Sequence, residues 1–161
     1  MELLLFTDGS VDPKQGIGFG AYLELFEIPR DIKTLSASIK IKQFESTSST
    51  KLELETLLWA LSQISNREII SYTDSQNIAG LLSRKKQLEK KKFCSKAGRS
   101  LSNAKLYRDF FEKTEKFDIQ FRQVNGHKPS RQKNNIDTIF SLVDRASRNA
   151  LRTYYRSDTA R

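Results

Sequence analysis

The residues of this chain that could do chemistry are acidic, and two of them stand in matching surroundings. "FTDGS" places Asp8 after the apolar residues 3–6, and "YTDS" places Asp74 after Ile69 and Ile70. A lone aspartate at the tip of a strand is commonly a turn former or a helix cap. Two matched ones imply more, because an ionised carboxylate at the end of a buried strand is costly unless something positive meets it. In open sheets ligands gather where neighbouring strands stop. If these two strands are adjacent, a shared metal ion would offset the desolvation of both carboxylates. A third acid comes from "STKLELETLLWAL". Glu53 and Glu55 lie about 200° apart on a helix, so only one can face the sheet. Glu53 shares its face with Leu57, Ala60, Leu61 and Ile64, while Glu55 is expected to point into water. With one cysteine, Cys94, and one histidine, His127, in the chain, an all-oxygen donor set suits Mg²⁺ or Mn²⁺ rather than zinc.

These acids need a scaffold, and the hydrophobic pattern supplies one. Residues 2–8 and 16–27 read as strands, and the alternation of "LSASIKIKQF" predicts a third over residues 35–44. The period then changes: Leu54, Leu57, Leu58, Leu61 and Ile64 form a helical stripe, with serines and threonines in front as caps. "EIISYT" is a fourth strand and "QNIAGLLSR" starts a short helix. "LSNAKLYRDFFEKTEKF" is an amphipathic helix, "DIQFRQV" a last strand, "NGHKPSRQKNN" a polar loop and "IDTIFSLVDRASRNALR" a closing helix. The outcome is an α/β mixed sheet of five strands flanked by helices. One domain over residues 1–152 is expected, with 153–161 as a short tail.

Composition narrows the partners. The chain has 161 residues, 37% apolar and 29% charged, with a formal net charge of +9. Nine basic residues and one acidic residue lie between positions 84 and 105, so a net +8 sits in that one segment. Such a concentration steers phosphates. No apolar run approaches the roughly 18 residues of a membrane span. A single cysteine fits a reducing compartment, and a cytoplasmic monomer is expected.

The motifs converge on a family. "FTDGS…GFGAYL", "STKLELETLLWAL", "TDSQ", and "VNGHKPS" followed by "VDRASRNAL" resemble, in order and spacing, type 1 ribonuclease H, over residues 2–152. The resemblance implies a βββαβαβα core and four carboxylates holding two Mg²⁺ ions, for which Mn²⁺ can substitute. It implies Asp8, Glu53 and Asp74 as the first three ligands. For the fourth it offers two positions. Asp137 lies ten residues beyond His127, whereas the helix pattern AD-x-x-A-R-x-A is matched better by "VDRASRNAL", which points to Asp144. Asp144 is preferred, and that choice implies a loop some seven residues longer than usual.

The implied activity is endonucleolytic hydrolysis of the RNA strand of RNA/DNA hybrids, giving 5′-phosphate and 3′-hydroxyl ends, with His127 moving protons. A catalytically weakened binding module, or a DNA-acting nuclease of the same superfamily, is the alternative. Sensing the 2′-hydroxyl would fall to Ser10, Ser49, Thr50 and Gln76, with Ser48 holding a DNA phosphate through its hydroxyl. Lys85, Lys86, Lys90, Lys91, Lys92, Lys96 and Arg99 would form a basic protrusion gripping the hybrid through its phosphates. Its only aromatic residue is Phe93, since the one tryptophan is Trp59.

Overall fold

The computed structural model describes residues 1–125 and 128–159. Five strands form one sheet in the order β3-β2-β1-β4-β5. They are β1 Leu3–Asp12, β2 Ile17–Leu25, β3 Lys40–Phe44, β4 Glu68–Thr73 and β5 Asp118–Gln123. The first three are antiparallel neighbours, while β4 and β5 join parallel to β1. The helices are α1 Ser49–Gln63, α2 Gln76–Ala79, α3 Lys85–Lys90, α4 Ala104–Thr114 and α5 Asn135–Thr159.

Side chains alternate across a strand, so β1 feeds two cores. Leu3 and Leu5 pack with Leu54, Leu57, Leu61 and Phe110 beneath α1 and α4. Phe6 packs with Leu23, Ile139, Phe140 and Val143 beneath α5. The sheet is thus the middle layer of three. The approach of α1 is close because glycine lets it be. A Cβ on Gly20 would lie 2.2 Å from Thr56 Oγ1, and one on Gly9 would lie 2.8 Å from Leu52 Cδ2. These two glycines face each other across β1 and β2, and they let the N-terminal turns of α1 settle on the sheet.

Three expectations are corrected. First, β1 does not end at Asp8. It continues to Asp12 against β2, with Asp8 opposite Ala21, whereas its pairing with β4 stops at Phe6 opposite Tyr72. The opening beside Asp8 comes from the loss of one neighbour, not from the end of the strand. Secondly, the expected third strand is split. Residues Ile32–Ser38 form a 3₁₀ helix and only Lys40–Phe44 is strand. Asp31 caps the helix, its carboxylate accepting from the Lys33 N–H at 3.1 Å, and Leu35 is buried in the α5-side core. Thirdly, α5 runs on through residues 153–159, the expected tail. Tertiary contacts hold this extension: the Tyr154 ring meets Phe19 at 5.9 Å between centroids, and the Tyr155 hydroxyl donates to Asp12 at 2.5 Å.

Among the described residues, no helix is long and apolar enough to cross a membrane.

Candidate active site

The site forms where β4 stops and β1 goes on alone with β2. Asp8 lies on the stretch of β1 beyond its pairing with β4, and Asp74 follows directly after β4. Two turns into α5, Asp144 comes within hydrogen-bonding reach of Asp8. Glu53 arrives from α1. Its Oε2 accepts from the Ser75 hydroxyl at 2.7 Å, and Ser75 itself accepts from the Ile78 N–H at 3.2 Å, capping α2. Ser75 therefore joins the orientation of Glu53 to the start of α2. Sequence reasoning did not single it out, although the repeated Thr-Asp-Ser motif carried the signal.

Electrostatics mark this place. Burial first, then the neighbouring Asp74 and Asp144 carboxylates, push the Asp8 carboxyl up to about 9, with the Gly9 backbone N–H pulling weakly the other way. Burial and Asp74 also raise Glu53, against the lowering effect of the Ser75 hydrogen bond. Four carboxylates from two strands and two helices thus face one another with too little positive charge between them.

A divalent cation is what this arrangement invites, and the donor set fits it. All four donors are oxygen acids, hard ligands of the kind that Mg²⁺ and Mn²⁺ take. Among the described residues, no three carboxylate, cysteine or histidine side chains are already drawn into a metal cage. The hollow lined by Thr7, Asp8, Glu53, Thr56, Thr73 and Asp74 measures only about 10 Å³. The carboxylates are neighbours without being preassembled.

The two candidates on α5 are separated by their surroundings. Asp137 is buried and its charge is satisfied within the chain. It accepts from the Asn134 N–H and from Lys128 Nζ, each at 3.2 Å, while its own N–H donates to the Asn134 side chain at 2.9 Å. That is a reciprocal helix cap. Asp144 faces Asp8 instead, with Arg148 at 2.5 Å on its other side. Glu55 is half-buried rather than free in water, and accepts from the Thr47 hydroxyl at 2.6 Å. His127 lies outside the described residues.

The expected nucleic-acid contacts fall into two groups. Ser10 is engaged by α5, its hydroxyl 3.0 Å from that of the fully buried Ser147, a partner the sequence did not reveal. Ser48 is the N-cap of α1, accepting from the Lys51 N–H. Ser49, Thr50 and Gln76 are exposed at helix starts. In the basic segment Lys86, Lys90, Lys91, Lys92, Lys96 and Arg99 are exposed. Lys85 is not available in the same way, since it pairs with Glu115 at 2.6 Å and lies over the Phe111 ring. Nor is Phe93 offered to a base: it is buried against Phe111 beneath the Arg108 guanidinium. The segment folds back on this anchor, with Leu101 N–H donating to Phe93 at 2.9 Å and Gly98 turning at φ +81°.

Comparison with known proteins gives a consistent result. The model of the RNase H family matches residues 1–150. Among solved structures, the chain is similar to LC9-RNase H1, whose crystal structure is presented as that of a type 1 RNase H with the type 2 active-site motif. The TM-score is 0.59 at 17% identity, over 78% of this chain and 64% of that one. This chain therefore spans just under two thirds of that relative's length, and the likeness is one of fold. No curated protein matches it significantly.

Proposed function

The chain belongs to the RNase H family, and from that premise we propose that it hydrolyses the RNA strand of RNA/DNA hybrids with divalent cations held by Asp8, Glu53, Asp74 and Asp144. One observation carries the reading: Asp8, Asp74 and Asp144, far apart in sequence, come together at one place, where burial first and then the two neighbouring carboxylates push the Asp8 carboxyl up. Carboxylates brought together in a partly buried place concentrate at functional sites. Mg²⁺ is the expected ion, since every donor is a hard oxygen. Held by these carboxylates, divalent cations would supply an activated water and charge neutralisation at the departing oxygen.

The chain's own residues have separate tasks. Asp8 and Asp74 stand at the point where the sheet opens, Asp144 closes the α5 side, and Glu53 is held in orientation by Ser75. His127, on the strength of the family resemblance, carries a proton to the departing 3′ oxygen, leaving 5′-phosphate and 3′-hydroxyl ends. The exposed lysines of residues 86–96 and Arg99 take phosphates without reading sequence.

The test is a cleavage assay with Mg²⁺ on labelled RNA/DNA hybrid, duplex RNA, duplex DNA and single strands. Cutting of the hybrid's RNA alone, lost on Asp74→Asn and in chelator, is the expected result. DNA cutting would assign a different nuclease chemistry, and binding without cutting would assign a binding module.

A further inference from the structure

The 3₁₀ helix that replaces the first half of the expected third strand builds a surface of its own. Together with residues 130–133 and the outer stripe of α5, it encloses an open groove of about 650 Å³. Four cations line it: Arg30, Lys33, Lys133 and Arg145. Arg30, Lys33 and Arg145 are exposed, and none of them forms an ion pair among the described residues. Lys133 is held in place, donating to the Ser141 hydroxyl at 2.8 Å. The one acid of the lining, Asp31, is engaged in capping the 3₁₀ helix. The groove therefore carries net positive charge, a polyanion's electrostatic footprint.

Its position gives it meaning. It lies on the α5 face of the sheet, while α4, which leads out of the lysine-rich segment, packs on the α1 face. On α5, Arg145 follows Asp144 directly: one residue faces Asp8 and the next lines the groove.

We propose that this groove is a second phosphate-binding surface, which holds the backbone of the bound nucleic acid beyond the base pairs at the carboxylates. The proposal rests on the functional reading above, since it assigns the groove to the same substrate. It makes grip depend on length. A short hybrid reaches only the site and the lysine-rich segment, whereas a long one also lies over the groove.

The experiment compares wild type with Arg30→Gln/Lys33→Gln/Arg145→Gln on 8- and 24-base-pair hybrids, binding in Ca²⁺ and cleavage in Mg²⁺, with thermal melting as the folding control. On the long hybrid, affinity should fall about tenfold or more, and the slope of log K against log salt should become shallower by about 2–3, one phosphate contact being worth roughly 0.9. On the short hybrid, affinity and cleavage should stay within about twofold. The single variant Lys33→Gln should shift the long-hybrid slope by about 1, which keeps the test valid if the triple variant melts early. Equal losses on both lengths, or no change on the long hybrid, overturn the groove while leaving the catalytic reading intact. Unchanged hybrid binding with lost binding of polyglutamate would assign the groove to acidic peptide and also overturn it. If wild type neither binds nor cuts either hybrid, the catalytic reading fails and the groove falls with it.

Discussion

Two aspartates seven residues apart on α5 share a residue type, a helix and a face, yet their situations are opposite. The side chain of Asp137 is 7% exposed and surrounded by donors: a backbone N–H and the Lys128 ammonium. That of Asp144 is 33% exposed, with the Arg148 guanidinium on one side and the Asp8 carboxyl on the other. A carboxylate compensated within the chain stabilises the fold. One held against another carboxylate costs stability, and such costs concentrate at functional sites. On α1 both Glu55 and Glu53 accept from a hydroxyl, of Thr47 and of Ser75, but Glu53 also faces Asp74.

The sharpest way to break this comparison is to remove each member in turn. Asp144→Asn should lower kcat by about a thousandfold, as several kcal/mol of charge stabilisation are lost, with a melting temperature equal to or above wild type. Asp137→Ala should keep kcat within about threefold but lose about 1–2 kcal/mol of stability with its cap and its charged partner. Steady-state kinetics and thermal melting on both variants decide it, and exchanged outcomes would transfer the site to Asp137. On α1, Glu53→Gln should cost kcat about a hundredfold or more. Glu55→Gln should leave it within about twofold, so matching losses would show that both face the chemistry.

A pH titration in chelator sharpens the energetic side. The folded Asp8 carboxyl sits at about 9 against an ordinary 3.8. Below 3.8 both folded and unfolded chains hold the proton and the group is neutral to stability. Above it the unfolded chain releases the proton and the folded one does not. Stability is therefore lost progressively from about pH 4 toward 9. Asp8→Asn should flatten that decline and raise the metal-free melting temperature at pH 7. A variant as pH-sensitive as wild type would remove Asp8 as the cause. The smallest effect is expected at Ser147→Ala, which loses the buried contact to Ser10. About 1 kcal/mol of stability and a change in kcat under threefold are expected, measured by denaturant unfolding and initial rates.

The fold was largely legible because its signals are local. The stripe of Leu54, Leu57, Leu61 and Ile64 specifies α1 whatever surrounds it, and the two Thr-Asp motifs name β1 and β4 as the strands that matter. Misreadings arose where distant contacts overrode local pattern. "LSASIKIKQF" alternates like a strand throughout, yet burying Leu35 against α5 bends its first half into a 3₁₀ helix. Residues 153–159 carry no strong apolar stripe, and Phe19 and Asp12 supply the partners that keep them helical. Lys85 and Phe93 look free in a lysine-rich run, and both are engaged by α4 or its C-terminal flank.

Sequence alone determined the kinds of groups available, oxygen acids without a cysteine or histidine cluster, and the elements that carry them, since residue type and hydrophobic period are properties of a few consecutive positions. Only the tertiary structure decided which acids share a site. Whether a carboxylate meets a lysine, a hydroxyl or another carboxylate depends on residues tens of positions away, and in a buried, weakly screened place that neighbour sets its charge state and its cost.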